Sequence, residues 1–471
     1  MLILLLPLLP ILLAFGMFAV SRWRTTIIAV LVWTLFEGVV RKWVFPGYQA
    51  QILVAKDIVL LAAYLGYALT IGLRSASPSG PLLLLGGMFV AYCFVQLVNP
   101  NAPSMLLAVY GLKNYVVYMP LAIIIPDMIQ REETFRRTML WICILSIPIS
   151  LLALYQFSQP PSHWVNQYVS HEEGVTSTAF AFGAGDGGDF QSGRARTSST
   201  FSFLGGFSTF LVLMVPMAQA MLLSGMFKGR ALLLVAGSLA LALGATLTTG
   251  SRAPIYVYAA VMPVMMLLGA GKGLVSLTTA LRFTLVIAVI GGGASFVFGS
   301  ALDAYEYRAA NSDNPLERLL SPINEPLRAF ETSPLIGTGI GTTSNASASI
   351  MQSPDAWWLG GYAYEAENAR VMQELGFPGF FLLYLLKIYV VLLIYRFYRR
   401  SRRRANIALH LQALSFTAIH LVFPTVNNPT GGLFYWAMVG LAIAADRVEW
   451  RAWRSAATLA PSPPPIGAHA V

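Results

Sequence analysis

The sequence predicts an all-α, polytopic integral membrane protein with about 12–13 transmembrane helices and a large periplasmic loop domain. The chain has 471 residues, of which 56% are apolar and 11% charged, whereas a soluble domain carries about 25% charged residues. The apolar residues form long blocks near the ~20 residues that a helix needs to cross a bilayer. The short alternating segments typical of an outer-membrane barrel do not occur. The basic residues lie between the blocks, as orientation signals do.

Thirteen apolar blocks separated by polar residues and helix breakers are the predicted spans. The second block is short because Pro46 ends its extension, and proline disrupts a helix interior. The first block lacks the basic start and clear cleavage site of a signal peptide, so we expect it to be retained. The predicted spans are residues 1–20, 25–40, 51–72, 81–98, 105–128, 138–157, 203–226, 231–249, 253–270, 279–299, 376–395, 406–424 and 431–445.

The distribution of basic residues predicts the orientation. With the N-terminus outside, 19 Lys and Arg residues fall in cytoplasmic loops and the C-terminal tail, against Arg41, Lys42 and Arg252 in short outer loops. Cytoplasmic loops carry an excess of Lys and Arg, so we predict that the C-terminus is cytoplasmic. The net charge of +10 is explained by these loops, and nucleic acid is not a predicted partner.

This topology divides the chain into alternating membrane and loop regions. Both long loops fall outside, and loops of this length are seldom idle connectors. The regions are N-terminal spans (1–157), a loop rich in Gly, Ser and Thr (158–202), central spans (203–299), a large loop (300–375), C-terminal spans (376–445) and a cytoplasmic tail (446–471). Within the large loop, the glycine run from Gly337 to Gly341 predicts a turn.

Several enzyme classes lose their main support in this sequence. It contains no P-loop, HExxH or GxSxG motif, which argues against ATP-driven, zinc-peptidase and α/β-hydrolase functions. The two cysteines, Cys93 and Cys143, lie inside apolar blocks, so neither a disulfide framework nor a structural zinc site is expected.

Four basic residues near the outer surface are candidate anion-binding groups. Arg252 stands in TTGSRAP between two spans, where a guanidinium offers a fork that matches phosphate oxygens; the alternative is an anchor touching lipid headgroups. Lys113, early in its span, either faces a polar cavity or extends to the membrane surface. Arg194 and Arg196 precede span seven and either extend an anion-binding patch or are solvated loop charges.

Another group of candidate residues lies at the exit of the large loop, in YAYEAENARVMQELGFPG. If residues 365–375 are helical, Glu367 and Arg370 share one face. A carboxylate here, Glu367 or Glu365, is a candidate base for a sugar hydroxyl, and the alternative is a surface salt-bridge ladder of a few tenths of a kcal/mol. Tyr362 and Tyr364 suit either sugar stacking or the membrane interface.

Five segments in order resemble the motifs of the bacterial O-antigen ligase and O-antigen polymerase family. Three departures bear on the choice within the family: Glu365 stands where ligases place a histidine, Ala253 replaces the glycine after the arginine, and Lys113 replaces an arginine. These favour a polymerase or a divergent exopolysaccharide member. The segments are YGLKNYVVYMPL, RARTSSTFSFLGGFSTF, TTGSRAPIYVY, FETSPLIGTGIGT and ENARVMQELGFPGFFLLYLL.

The resemblance implies a glycosyltransferase of the bacterial inner membrane. Its substrate is a polyprenyl-pyrophosphate-linked oligosaccharide, joined to others on the periplasmic side with inversion, without nucleotide sugar, metal or other cofactor. A pyrophosphate already leaves well, so the enzyme must bind its developing charge and activate an acceptor hydroxyl. The roles implied are Arg252 as main pyrophosphate clamp, helped by Arg196 and Lys113, with Arg370 as a second phosphate or carboxylate partner. Membrane lipids and a chain-length regulator are the other expected partners.

Three rival functions stay open. A ligase, moving glycan from polyprenyl pyrophosphate to a lipid or protein acceptor, shares the donor site and differs only through the missing histidine. A transporter or flippase for lipid-linked sugars would need charged residues at its midplane and broken helices. In this chain most titratable residues lie at span ends or in outer loops, apart from Lys56, Asp57 and Lys387. The third is a non-enzymatic scaffold.

Overall fold

The computed structural model describes residues 16–72, 80–170, 174–177, 180–182, 194–278, 315–344, 347–351 and 364–459. Most of these residues are helical. The helices are α1 (Trp23–Val39), α2 (Gln49–Thr70), α3 (Gly80–Val95), α4 (Met105–Val116), α5 (Leu121–Met128), α6 (Glu132–Ser158), α7 (Leu204–Ser224), α8 (Gly229–Thr248), α9 (Arg252–Gly271), α10 (Pro315–Thr332), α11 (Ser347–Met351), α12 (Glu367–Arg400), α13 (Arg404–Ile419) and α14 (Pro429–Leu459).

Short elements interrupt this helical pattern, among them 3-10 turns at Gln96–Val98 and Trp164–Asn166. A π-helical turn (Val40–Val44) and a 3-10 turn (Pro46–Tyr48) follow α1. Two antiparallel strand pairs lie in the predicted loop 158–202. The helical fold class is confirmed, and these strands are a local addition that the Gly- and Ser-rich composition did not predict. The pairs are β1 (Gln167–Ser170) with β2 (Gly174–Ser177), and β3 (Phe180–Phe182) with β4 (Arg194–Ala195).

Seven described helices are long and apolar enough to cross a bilayer, so the chain is a helical protein embedded in a membrane. An eighth span is counted if α4 and α5 form one span, bent by 41° where Pro120 lacks an amide hydrogen. The predicted 12–13 spans exceed this count. Part of the difference is that α1 and α13 have only 17 and 16 residues, and that residues 1–15 and the predicted span 279–299 lie outside the described residues. The seven are Gln51–Thr70, Gly80–Val98, Glu132–Ser158, Leu204–Ser224, Gly229–Thr248, Ala253–Gly271 and Glu367–Arg400.

Helix α7 lies at the centre of the bundle. Of its most apolar stretch 83% is buried by protein, against 22–44% for the other six candidate spans. Those six leave large apolar side chains such as Leu233 and Leu84 exposed, which is the expected surface of a helix that faces lipid.

Ion pairs between loops define one end of the bundle. Arg403 pairs with Glu132 at 2.6 Å, and Arg447 with Asp127 at 2.9 Å. These contacts join three loops that the charge pattern assigns to the same side of the membrane. We call this the arginine-rich end. The opposite end, which we call the pocket end, holds the last turn of α1, the turn between α8 and α9, and the first turns of α12 and α14.

Candidate functional site

A cavity of about 370 Å³ opens at the pocket end. Its walls come from α1 and the turn after it, from α4, from residues 201–206 at the start of α7, from residues 365–370 at the start of α12, and from the loop 424–430 before α14. The polar and charged side chains that line it are Thr34, Glu37, Arg41, Tyr110, Asn114, Ser202, Glu365, Glu367, Arg370, Asn427, Asn428 and Thr430.

Three of the sequence-predicted residues meet in this cavity: Glu365, Glu367 and Arg370. Helix α12 begins at Glu367, which places these residues in its first turn and just before it. The salt-bridge ladder weighed from the sequence does not form, because neither Glu367 nor Glu374 pairs with Arg370 in the described structure. Instead, Nε of Arg370 donates to the carbonyl oxygen of Tyr364 at 2.7 Å.

The carboxylate of Glu367 binds a neighbouring loop. Its two oxygens accept from the backbone amides of Thr425, Val426 and Asn427 at 2.7–2.9 Å, and Lys387 lies 3.5 Å away. Consecutive amides around one carboxylate form an anion-binding nest. The geometry therefore gives Glu367 the role of holding the loop that forms one wall of the cavity.

Glu365 is the more accessible of the two carboxylates that the sequence proposes as bases. It is exposed and lines the cavity, whereas Glu367 is 4% exposed. A base must reach the proton that it removes, so the geometry favours Glu365 for that role.

Tyr364 lies beside the cavity wall but is not placed for sugar stacking. It is 7% exposed and packs with Ala329 and Met372, and its hydroxyl lies 3.0 Å from Oγ1 of Thr332. Its ring thus joins α10 to the start of α12. The companion prediction, Tyr362, lies outside the described residues.

Lys113 is committed to an internal ion pair. Its Nζ lies 2.8 Å from Oδ2 of Asp57, and Tyr118 donates to the other oxygen of that carboxylate at 2.7 Å. Lys113 does not line the cavity, although Tyr110 and Asn114 on the same helix do. In this arrangement Lys113 therefore has no direct contact with the cavity in which an anion would bind.

Two of the remaining predicted arginines, Arg196 and Arg252, lie at the turn between α8 and α9. Nε of Arg196 donates to the carbonyl oxygen of Thr249 at 3.1 Å. Arg252 begins α9 and Arg194 lies in β4, but the side chains of these two residues lie outside what the structure describes. The chain continues from Arg196 directly into the cavity wall at residues 201–206.

The sequence interpretation missed a buried charge cluster at the end of α1. Glu37 accepts from Arg41 at 3.2 Å and from Lys56 at 2.5 Å, and all three residues are at most 5% exposed. Glu37 and Arg41 line the cavity. One signal was present: Arg41 and Lys42 were two of only three basic residues in short outer loops.

Lys42 lies behind the same wall. Its Nζ donates to the carbonyl oxygen of Ser199 at 2.6 Å and to Oγ of Ser198 at 3.2 Å. Burial lowers the pKa of Lys42 to about 7, because a charged ammonium loses its hydration there.

A close backbone contact between α1 and residues 200–202 supports the same wall. A Cβ on Gly38 of α1 would lie 2.2–2.4 Å from backbone atoms of Thr200, Phe201 and Ser202. No side chain fits there, so α1 and the segment before α7 touch backbone to backbone.

A glycine turn braces the other side of α12. Gly337, Gly339 and Gly341 all have positive φ, which glycine adopts at little cost. Glu374 holds this turn through Thr343, whose amide and hydroxyl both donate to it at 2.7 Å. The glycine turn predicted from the sequence is therefore present and is anchored to the loop-exit helix.

A second, apolar cavity of about 500 Å³ lies further along the bundle. The same three helices, α1, α7 and α14, contribute to both cavities. Phe201 of the polar cavity contacts Phe210 of the apolar one, with ring centroids 5.3 Å apart. We call this second cavity the apolar groove; its lining residues on the three helices are Ile28, Leu31, Val32, Leu35, Phe210, Leu213, Met214, Met217, Phe434, Ala437, Met438 and Leu441.

No model of a known protein family matches the sequence, and no curated protein matches it either.

Proposed function

We propose that the chain is a polysaccharide polymerase that joins polyprenyl-pyrophosphate-linked oligosaccharides at the periplasmic face of a bacterial inner membrane. The observation that carries this proposal is that a polar and an apolar cavity lie on the same three helices, α1, α7 and α14. A polar cavity lined by Arg41, Arg370 and the exposed carboxylate of Glu365 suits a sugar pyrophosphate, and an apolar groove on the same helices suits its lipid chain. The resemblance of five segments to the O-antigen polymerase and ligase family supports the same substrate.

The reaction needs one base and a site for the leaving group. A hydroxyl of the acceptor sugar attacks the anomeric carbon of the donor, and Glu365 takes the hydroxyl proton. The bond between that carbon and the pyrophosphate oxygen breaks, and the leaving pyrophosphate keeps the electron pair. Attack from the opposite face inverts the anomeric centre. Arginine at the cavity stabilises the charge that develops on the leaving group.

The location of the cavity fits a periplasmic reaction. Loops with many arginines favour the cytoplasmic side, and the cavity lies at the other end of the bundle. A polymerase acting on exported lipid-linked sugars would need its site there.

The test is turnover by the purified chain in nanodiscs with a panel of polyprenyl-pyrophosphate-linked oligosaccharides and no nucleotide. We expect a ladder of glycan lengths with release of polyprenyl pyrophosphate, and a rate at least about 100-fold lower in Glu365→Gln, as for the loss of a general base. Arg137→Gln, at the exposed arginine-rich end, is the matched control and should keep the wild-type rate.

Two other outcomes would contradict this proposal. Donor consumption only after a different acceptor is added would replace polymerase by ligase. Full activity of Glu365→Gln would remove that residue from the reaction.

A further inference from the structure

Two buried nitrogen donors of the cavity have no hydrogen-bond partner within the described part of the chain. They are Nε of Arg41 and Nδ2 of Asn427. Arg41 is 5% exposed, and Asn427, though partly exposed, has its Nδ2 atom buried. Buried donors are nearly always paired, so each such exception calls for a partner. Both donors require an acceptor oxygen.

The guanidinium of Arg41 is held in place before any ligand arrives. Glu37 accepts from its Nη1 at 3.2 Å, and its Cζ lies 5.5 Å from the ring centroid of Phe203. A guanidinium oriented in this way loses little freedom when it binds an oxyanion. The unpartnered Nε is thus part of a preorganised donor.

Charge at the cavity favours an anion. Among the described residues, four cations line the cavity or pair with a residue that does, against three carboxylates. Glu37 pairs with both Lys56 and Arg41, and Glu367 lies near Lys387, so the positive charges of this group exceed its negative charges by one. The four cations are Arg41, Arg370, Lys56 and Lys387, and the carboxylates are Glu37, Glu365 and Glu367.

One acceptor in the cavity is also unpartnered among the described residues: Oδ1 of Asn114, a residue 7% exposed. An amide oxygen accepts from a hydroxyl and cannot bind a phosphate oxygen. The cavity therefore presents donors for an oxyanion and an acceptor for a hydroxyl group in one space.

We propose that Arg41 and Asn427 bind the phosphate oxygens of a glycosyl pyrophosphate, with Asn114 accepting from a hydroxyl of its sugar. This inference rests on the function proposed above. It assigns the anion to the turn after α1 and to the loop before α14. None of the arginines that the sequence proposes as anion-binding groups lies in either segment. Glu367 acts as a positioning residue, because its bonds hold the amide of Asn427 and so place the Asn427 side chain.

The test is calorimetric binding to the purified full chain in detergent, with farnesyl pyrophosphate, inorganic pyrophosphate and farnesol as probes. We expect Arg41→Gln to weaken binding of farnesyl pyrophosphate about tenfold or more, as for a lost charge-assisted hydrogen bond. Asn427→Ala should weaken it several-fold, and Asn427→Asp more than Asn427→Ala, because a carboxylate repels the anion. Arg137→Gln should bind as the wild type does.

The probes separate the source of the anion. Tighter binding of farnesyl pyrophosphate than of inorganic pyrophosphate identifies a lipid-linked ligand, and equal binding identifies a free anion in the same site. Wild-type affinity in both Asn427→Asp and Asn427→Ala would overturn the proposal. Equal binding of farnesol would do so as well, because it carries no phosphate. If Arg41→Gln fails to fold, the Asn427 variants still test the proposal, since the side-chain nitrogen Nδ2 of Asn427 has no hydrogen-bond partner among the described residues to lose.

Failure of this inference differs from failure of the proposed function. Binding that depends on Arg41 and Asn427, without glycan transfer to any acceptor, leaves the anion site standing and removes the polymerase. Full glycan transfer by Asn427→Asp and Arg41→Gln removes the anion site and leaves the polymerase.

Discussion

The two glutamates at the start of α12 differ in what their carboxylates do. Glu367 binds three backbone amides and lies near Lys387, whereas Glu365 is exposed in the cavity. Breaking a buried, hydrogen-bonded charge pair costs about 3–5 kcal/mol, and changing an exposed side chain usually costs less than about 0.5 kcal/mol. Substitution of Glu367 should therefore lower the stability of the fold, whereas substitution of Glu365 should leave it nearly unchanged.

We predict that Glu367→Gln lowers the unfolding temperature in detergent clearly, while Glu365→Gln leaves it close to wild type. The reason is that only Glu367 holds the loop of Thr425, Val426 and Asn427. Differential scanning fluorimetry of both variants measures this directly. An unchanged unfolding temperature for Glu367→Gln would show that the loop does not depend on this carboxylate.

The burial of Lys42 leads us to predict that the stability of the fold depends on pH. Its pKa is about 7 in the folded chain and about 10.4 when unfolded, so between these values the unfolded chain binds a proton that the folded chain does not. Stability then rises with pH over this window, by at most about 1.4 kcal/mol per pH unit. The unfolding temperature should increase from pH 7 to 9, and Lys42→Met should flatten the increase. Parallel curves for the two proteins would contradict this account.

At the scale of elements, the cavity depends on the close crossing of α1 and residues 200–202. We predict that Gly38→Ala reduces the yield of folded protein or lowers its unfolding temperature, because the added Cβ would overlap backbone atoms at 2.2–2.4 Å. Gly237→Ala is the matched control: that glycine is in α8 with no atom near its Cβ position, and alanine is the better helix former. Size-exclusion profiles compare the two variants, and equal folding of both would mean that the crossing is loose.

The elements were predictable where one local signal dominates. Apolar blocks predicted the helices of the seven candidate spans, and the run from Gly337 to Gly341 predicted its turn. The break between α4 and α5 was missed, because the apolar block from 105 to 128 continues through Pro120 without a change in hydropathy. The partners of Glu367 lie about 58 residues further along the chain, and spacing along the chain says nothing about such contacts.

The candidate site was only half predictable for the same reason. The sequence singled out Glu365, Glu367 and Arg370, which do share one cavity. It did not propose Arg41 or Asn427 as binding residues, since the position of Arg41 in a short outer loop does not show that the turn after α1 meets the loop before α14. Tertiary packing supplies that information.

At the scale of the whole molecule, the bundle holds a polar cavity at the pocket end and the apolar groove further along the same helices. The polar cavity and the apolar groove share α1, α7 and α14, and ion pairs such as Arg403–Glu132 occupy the opposite end. An amphiphile with an anionic head and a long chain is the ligand class that fits such a pair of cavities.

The most direct measurement is photo-crosslinking with a polyprenyl pyrophosphate that carries a diazirine on its first isoprene units, mapped by mass spectrometry. We predict labelled peptides from the groove side of α1 and α14, at residues 28–41 and 429–441, and loss of label when unlabelled farnesyl pyrophosphate is added. Label confined to lipid-facing residues of α3 or α8, unaffected by competitor, would contradict the claim that these cavities bind the lipid-linked substrate.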